Sequence, residues 1–499
     1  MTPQDGAHGG LMPAPASGVT VRMYNMGFGD CLLLALRGDD GAPRYMLIDC
    51  GVHHDYPDGP ARADKVAQDI MQSTGGRLHV LVATHEHTDH LYGFKYARDK
   101  FASLNIDELW LAWTEDPSDA VAGQLKKQYG MQVAAARAAA QQLAAAGHPA
   151  APALQALLDF EFPDALAAAG GNQAQLDFLR QRSARKLQRP EDYRRPGEQP
   201  LRIPGVAGVK VYVLGPPRKA KWIKMLEKAD ELYPEMAPPS QEAAFAVAAL
   251  ASAGPLQGED RDLFNRSLPF DAALMISKED AAGASPYARF FRARYGFAEG
   301  RDQGPAWRRI DADWLAAAER LALALNSKTN NTSLALAIEL SESQPRKVLL
   351  FAADAQAGNW LSWRELRWAG EGPAGADVTV DDLLKRTVLY KVGHHGSRNA
   401  TLSVKGLEQM AGAGLVALLP VDEAWAKGEM GWDHPGRMVL PALLRQTAGR
   451  VLRSDQIPSG NAPPAMPPEA DAAGWADMLS RLDWDRGPDR LWIQVTVPA

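Results

Sequence analysis

Cysteine is nearly missing from this chain: Cys31 and Cys50 are the only two among 499 residues. A chain of that length with two cysteines is not built on a disulfide framework, and a reducing compartment fits it. Long apolar runs are missing as well; none approaches the roughly eighteen uncharged apolar residues that a membrane-spanning helix needs. Residues 1–18 have no basic start followed by an apolar stretch, so no secretory signal is expected and the cytoplasm is the expected address. An excess of one charge is also lacking. The 54 Lys and Arg against 60 Asp and Glu leave −6, which argues against a general polyanion binder and says nothing of a local basic groove. Histidine is scarce and uneven: of eleven, only His148 falls between His90 and Asp354.

What remains is a soluble globular composition, 46% hydrophobic and 23% charged. At this length one large domain with insertions, or two to three domains, is expected. The chain is organised around Val80-Leu-Val-Ala-Thr84-His85-Glu-His87-Thr-Asp89-His90. Its apolar half reads as a buried strand, and its polar half places three imidazoles and a carboxylate within six positions. Alternation at a strand end points His85 and His87 the same way, and the following turn brings Asp89 and His90 round beside them. Imidazole with carboxylate is ligand chemistry for zinc, manganese or iron.

Strands are expected at Cys31–Leu36 and Tyr45–Asp49, the latter ending in an aspartate that either caps a turn or serves the site. A short amphipathic helix is expected at Asp64–Met71 and a further strand at Ile106–Trp113. Residues 1–18, rich in Gly, Pro and Ala, read as a disordered leader. Residues 115–204 form an expected helical insertion, ending in a proline-bearing linker from Pro190, and 218–324 a second, mostly helical one. The β character resumes at Val209–Leu214, Ser333–Leu340, Lys347–Asp354, Thr387–Val392 and Leu415–Val421. The α/β domain is therefore expected in three pieces, 19–114, 205–217 and 325–499.

A polar residue or histidine recurs after these strands at positions 49, 85–90, 354, 394–395 and 434. Taken alone, Asp354 could cap a helix and His434 could lie on the surface. Their shared placement gathers them at one sheet edge. His85-x-His87-x-Asp89-His90 resembles the signature of the metallo-β-lactamase superfamily. The nearer resemblance is to the hydrolase domain of the competence DNA-uptake protein ComEC and its stand-alone relatives. It is carried by Met26-Gly-Phe-Gly-Asp30-Cys, Leu47-Ile-Asp49-Cys-Gly51, Val213-Leu-Gly-Pro-Pro217, Asn330-Asn-Thr-Ser333, Phe351-Ala-Ala-Asp354, Val392-Gly-His-His-Gly-Ser397 and His434-Pro435. It covers roughly 18–114, 205–217 and 325–456 and leaves the insertions unmatched.

The resemblance implies an αββα sandwich with metals at one edge. His85 and His87 would hold one cation, Asp89 and His90 a second, Asp354 would bridge them, and His394 and His434 would complete the shell. A water with its pKa lowered by the cations would be the nucleophile, with Asp89 orienting it and sharing in proton transfer. Asp30 and Asp49 would support the ligands from behind. Asn331, Ser333, Lys391, His395 and Ser397 would bind substrate or steady developing charge. One departure stands out. The superfamily's histidine between the His-rich loop and the bridging aspartate is replaced by Asn330-Asn331-Thr332-Ser333, so one tight and one labile site for zinc or manganese is expected. His53 and His54 are candidates, by position, to replace that histidine.

The expected activity is metal-dependent hydrolysis of a phosphodiester in DNA, RNA or a nucleotide. The alternatives are an ester, lactone or thioester hydrolase, or a weakly catalytic interaction module in a multi-protein defence or DNA-handling system. Arg180, Arg182, Arg185, Lys186, Arg189, Arg194, Arg195, and Lys219, Lys221, Lys224 and Lys228 could face nucleic acid or simply be a solvated face. Tyr287–Phe297 interleaves aromatics with arginines and could stack bases or dock a helix. Protein partners would meet the insertions.

Overall fold

The computed structural model describes residues 10–145, 171–223, 328–342 and 345–499, with short pieces at 151–152, 154–155, 158, 225, 286, 288–295, 297–298 and 301–302. The chain divides into two compact units: residues 1–123, 169–237 and 327–499, and residues 124–168 and 238–326.

The first unit is mixed α/β. The strands of its two large sheets are β1 (Val19–Tyr24), β2 (Cys31–Arg37), β3 (Pro43–Cys50), β4 (Arg77–Val82), β5 (Asn105–Trp110), β6 (Leu201–Ile203) and β7 (Val206–Val213). They continue with β8 (Leu336–Leu340), β9 (Lys347–Phe351), β10 (Thr387–Lys391), β11 (Val416–Leu419), β12 (Val451–Arg453), β13 (Leu482–Trp484) and β14 (Trp492–Val497). They form two seven-stranded sheets, in the orders β13-β14-β1-β2-β3-β4-β5 and β12-β11-β10-β9-β8-β7-β6. Both are mixed: β1 to β3 pair antiparallel and β3 to β5 parallel, while β7 to β9 pair antiparallel and β9 to β12 parallel.

Alternation explains how the sheets are buried. Val19, Val21, Met23, Leu32, Leu34, Met46 and Val80 of the first sheet share one apolar core with Val211, Leu336, Ile338, Leu349, Leu389 and Leu418 of the second. The opposite phase of the first sheet, Leu33, Ala35, Leu47 and Leu81, packs on helices. Burial on both faces is why Cys31 to Leu36 reads as an unbroken apolar run. The covering helices are α1 (Gly59–Thr74), α2 (Thr88–Tyr96) and α3 (Gly171–Arg182). Ala63, Val66, Ala67 and Ile70 of α1, at helical spacing, and Leu176 and Leu179 of α3 supply that layer. α1 stops at Gly75, which takes φ 61 and so ends the helix in the left-handed region without a Cβ penalty. Each fully buried leucine or isoleucine contributes about 1.5–3 kcal/mol, so the two apolar layers hold the strand ends rigidly in place.

Several boundaries differ from expectation. α1 begins at Gly59 rather than Asp64, and β5 ends at Trp110, the chain then turning through Trp113–Glu115. Part of the leader is docked: Met12 is buried, its N–H donates to the Ser73 carbonyl (2.7 Å), and the Tyr45 hydroxyl donates to the Met12 carbonyl (2.9 Å). Residues 171–204, expected within the helical insertion, belong with the sheets, because α3 carries core leucines and β6 closes an edge of the second sheet. No helix among the described residues is long and apolar enough to cross a membrane.

In the second unit, helix Ala120–Ala145, most of which belongs there, buries Val133, Ala136, Ala140 and Leu143 on one face, a spacing that repeats every three to four residues. Residues Ala288–Tyr295 are helical, and Phe290 is exposed while touching Phe291 edge to face.

Candidate metal centre

The strand ends expected to converge do so. β3 carries Asp49 as its last residue but one, Thr84-His85 follows two residues after the end of β4, and α2 starts immediately after His87 and carries Asp89 and His90 in its first turn. β9 ends before Asp354, and β10 ends before Gly393-His394-His395-Gly396. Among the described residues two donor groups share Asp354, namely His85, His87 and Asp354, and Asp89, His90, Asp354 and His395; Asp30, Asp49 and His90 form another beside them.

The first group forms around a close pair of imidazoles. His85 Nε2 lies 3.0 Å from His87 Nδ1 and 3.9 Å from Asp354 Oδ2. In the second, His90 Nε2 lies 3.2 Å from Asp354 Oδ2 and 3.8 Å from Asp89 Oδ2, and His395 Nε2 lies 2.9 Å from Asp89 Oδ2. Asp354, His90 and His395 are completely buried or nearly so.

Hydrogen bonds from behind fix which nitrogen faces the centre. The other nitrogen of His395, Nδ1, donates to the Pro420 carbonyl at 2.8 Å, and Nδ1 of His90 donates to Asp49 Oδ2 at 2.7 Å. The same aspartate accepts from the Thr84 N–H (2.8 Å) and the Thr84 hydroxyl (2.7 Å), and Nδ1 of His85 lies 3.1 Å from that hydroxyl. Nε2 of His90 and of His395 is thereby the nitrogen turned toward Asp354 and Asp89, the orientation that a metal-ligating histidine requires once it gives up its proton.

Charge follows the same plan. Burial opposes ionisation of Asp89, but His90 and His395 beside it hold its carboxyl well below the usual range. Asp354 is likewise depressed against burial by His90, His394 and Lys391. Burial lowers His90, yet Asp354, Asp89, Asp49 and Asp30 together lift its imidazole well above the usual value. The fit to a cation rests on unpaired atoms. His90 Nε2 and both oxygens of Asp354 are buried without a hydrogen-bond partner among the described residues. Buried polar atoms are normally satisfied, and three unpaired ones within two groups of N and O donors suit a divalent cation.

The supporting residues differ in part from expectation. Asp49 backs His90 and the metal loop directly. Asp30 lies 3.9 Å from His90 Nδ1 and 3.8 Å from His395 Nδ1 and is ion-paired with Lys391. His395, expected to bind substrate, belongs to the four-residue donor group, while His394 stands at the rim, its Nε2 3.9 Å from Asp354 Oδ2. Both adopt left-handed backbone (φ 44 and 51), so strand alternation does not decide which of the two points inward. Burial pushes the imidazole of His394 down to about 4, so it is neutral near pH 7.

His434, expected as a ligand, is in neither group. Its ring lies 5.4 Å from His394, beside Trp432 and Phe28, and both its nitrogens are buried without a hydrogen-bond partner among the described residues. His53 and His54 group instead with Asp55, and His148 lies outside the described residues.

Three residues expected to meet substrate are turned inward. The Asn331 side chain accepts from the Asn359 N–H (3.0 Å) and donates to the carbonyls of Ile223 (3.2 Å) and Met225 (2.7 Å). Ser333 Oγ accepts from the Asp354 N–H at 3.3 Å, and Lys391 is 1% exposed. All three are buried, and their observed partners are main-chain groups, Asp30 and Asp354, so in this arrangement they brace the fold and the ligands. Ser397 donates to Asn399 at 2.5 Å on the turn after His395.

The basic run is also largely committed. Arg180 pairs with Asp177 (2.6 Å), Arg185 with Glu108 (2.9 Å) and Arg195 with Asp116 (3.3 Å), while Arg194 is buried and bonds the Asp192 carbonyl. Lys219 pairs with Glu365, and Lys224 and Lys228 lie outside the described residues. Comparison of the chain with protein-family models, curated proteins and solved structures finds no match.

Proposed function

We propose that this chain is a metal-dependent hydrolase of the metallo-β-lactamase superfamily, similar to the ComEC-like subgroup, and that it cleaves phosphodiester bonds in DNA, RNA or nucleotides. The observation that carries the metal part is Asp354: both of its oxygens are buried and unbonded, and it is shared by two donor groups. Two mixed sheets with the donors at their strand ends support the sandwich. The phosphodiester part rests on the sequence resemblance.

Asp89, His90, Asp354 and His395 would hold one cation, and His85, His87 and Asp354 a second. Four donors against three support one tight and one labile site. Imidazole with carboxylate suits zinc or manganese. Such cations supply Lewis-acid polarisation of a phosphoryl oxygen and a nucleophile at neutral pH. The chain's own groups do the rest. Asp49 and the Pro420 carbonyl hold His90 and His395 in the ligating tautomer, and the ionised Asp89 accepts a proton or orients water within the site.

The test incubates the purified protein, with manganese or zinc, against single-stranded DNA, duplex DNA, RNA and bis-p-nitrophenyl phosphate, beside Asp89→Ala. Metal-dependent cleavage lost in the variant is the expected result. Turnover of carboxylic esters alone would replace the phosphodiester reading. No turnover with any metal would leave an interaction module.

A further inference from the structure

A buried lysine stands behind the candidate bridging ligand. Lys391 closes β10 and is 1% exposed, with its ammonium ion-paired to Asp30 and donating to the Ala353 carbonyl at 3.1 Å. It lies 3.6 Å from Oδ1 of Asp354. The other oxygen, Oδ2, faces the opposite way, toward Nε2 of His90 (3.2 Å), His85 (3.9 Å) and His394 (3.9 Å). The two oxygens of one carboxylate are therefore distinguished: one looks at a fixed cation of the protein, the other at three imidazole nitrogens. Lysine is among the residues least often fully buried, and its charge is retained here only because two carboxylates and a carbonyl surround it.

We propose that Lys391 is a positioning residue for the metal centre. Anchored by Asp30 and Ala353, it reserves Oδ1 of Asp354 and leaves Oδ2 as the single oxygen offered to two cations. The inference rests on the metal reading above. It assigns the orientation of the shared ligand to a residue that touches no substrate. With Oδ1 turned toward that ammonium, giving one oxygen to each ion would weaken the ion pair, so the protein itself favours one spacing of the two sites before any ion arrives.

Electrostatics alone predicts the opposite outcome when the lysine is removed. Deleting a positive charge beside the centre would strengthen the attraction for divalent ions, whereas freeing Asp354 to rotate would weaken the site with fewer donors. The sign of the change therefore separates positioning from charge balance. Lys391→Met would leave Asp30 buried without its partner, so the decisive protein is the doubly neutral Asp30→Asn/Lys391→Met, in which no unpaired charge is created.

The experiment titrates metal-free wild type and both variants with manganese. Equilibrium dialysis gives affinity and stoichiometry, electron paramagnetic resonance reports exchange coupling between the two ions, and thermal unfolding in chelator monitors the fold. The expected result is two coupled ions in the wild type. The double variant should hold the first ion within a few-fold, bind the second at least ten-fold more weakly, and lose or change the coupling. Unchanged or tighter binding of the second ion with unaltered coupling in the double variant would overturn the proposal while leaving the metal reading intact. A wild type that takes up no manganese would overturn both, and one that takes up two uncoupled ions would overturn the single-oxygen bridge alone.

Discussion

Oδ2 of Asp49 lies 2.7 Å from Nδ1 of His90 and, at the same distance, accepts the hydroxyl of Thr84. One carboxylate thus ties the end of β3 to the start of α2 and to the end of β4, and it sets the tautomer of a candidate ligand. Asp49 takes φ 57 to do so, in the left-handed region where aspartate is one of the few tolerated side chains. Asp49→Ala should weaken metal binding about 10–100-fold, the effect expected of removing an outer partner of a ligating histidine. It should also cost about 1–3 kcal/mol of stability, because the Thr84 N–H is left buried and unpaired. Metal titration and chemical denaturation in chelator check the two parts separately.

The adjacent histidines should behave unequally. His395 belongs to the four-donor group and is oriented by Pro420, whereas His394 sits at the rim. His395→Ala should therefore lower affinity for the tighter ion by more than the roughly 100-fold ceiling for an outer partner. His394→Ala should leave that ion in place and act, if on metal, on the three-donor group. Isothermal titration of both variants decides it; equal losses would mean that both imidazoles serve the same ion.

Much of this centre is legible in sequence because a buried strand ending abruptly in His or Asp is a local signal, as at Thr84-His85, Asp49 and Asp354. What was not legible depends on geometry that spacing does not encode. The choice between His394 and His395 turns on two successive left-handed residues. Lys391 alternates correctly for a strand, but nothing local announces that Asp30, some 360 positions away, will neutralise it. Asn331 and Ser333 look like ready donors until the chain near Met225 closes over Asn331 and the Asp354 N–H takes Ser333. Arg185 and Arg195 read as part of a basic stripe because their acids, Glu108 and Asp116, lie on other segments.

Protons should be exchanged for metal. Burial lowers the imidazoles of His90 and His395, but the neighbouring carboxylates outweigh it and raise both. A ligating imidazole must be deprotonated, so metal uptake near pH 7 should release protons and affinity should rise with pH. Titration in two buffers of different ionisation enthalpy measures the number released. In chelator the sign reverses. A raised folded-state pKa gives stability that is full below the unfolded value of about 6.5 and is lost as pH climbs through the folded value. The advantage of metal-free wild type over His90→Asn should accordingly shrink with rising pH, and an advantage that grew would contradict the charge arrangement around His90.

Asn331 offers the test of whether an inward-facing amide serves the fold or the substrate. Its carbonyl oxygen accepts from the Asn359 N–H and its amide donates to two main-chain carbonyls, of Ile223 and Met225. Asn359 in turn donates to the carbonyls of Asn331 and Ser333, and the Ser333 hydroxyl holds the Asp354 backbone. Asn331→Ala would strand one N–H and two carbonyls in the interior, at about 1–3 kcal/mol for each group left unsatisfied. The thermal midpoint should fall by several degrees, since three groups are stranded and about 1 kcal/mol moves it by roughly 1–2 °C in a unit larger than about 250 residues. Below that midpoint, KM for the cleaved substrate should stay within about two-fold of wild type. A large rise in KM with an unchanged midpoint would put the Asn331 amide in contact with substrate, and the packing described around it would have to open for that to happen.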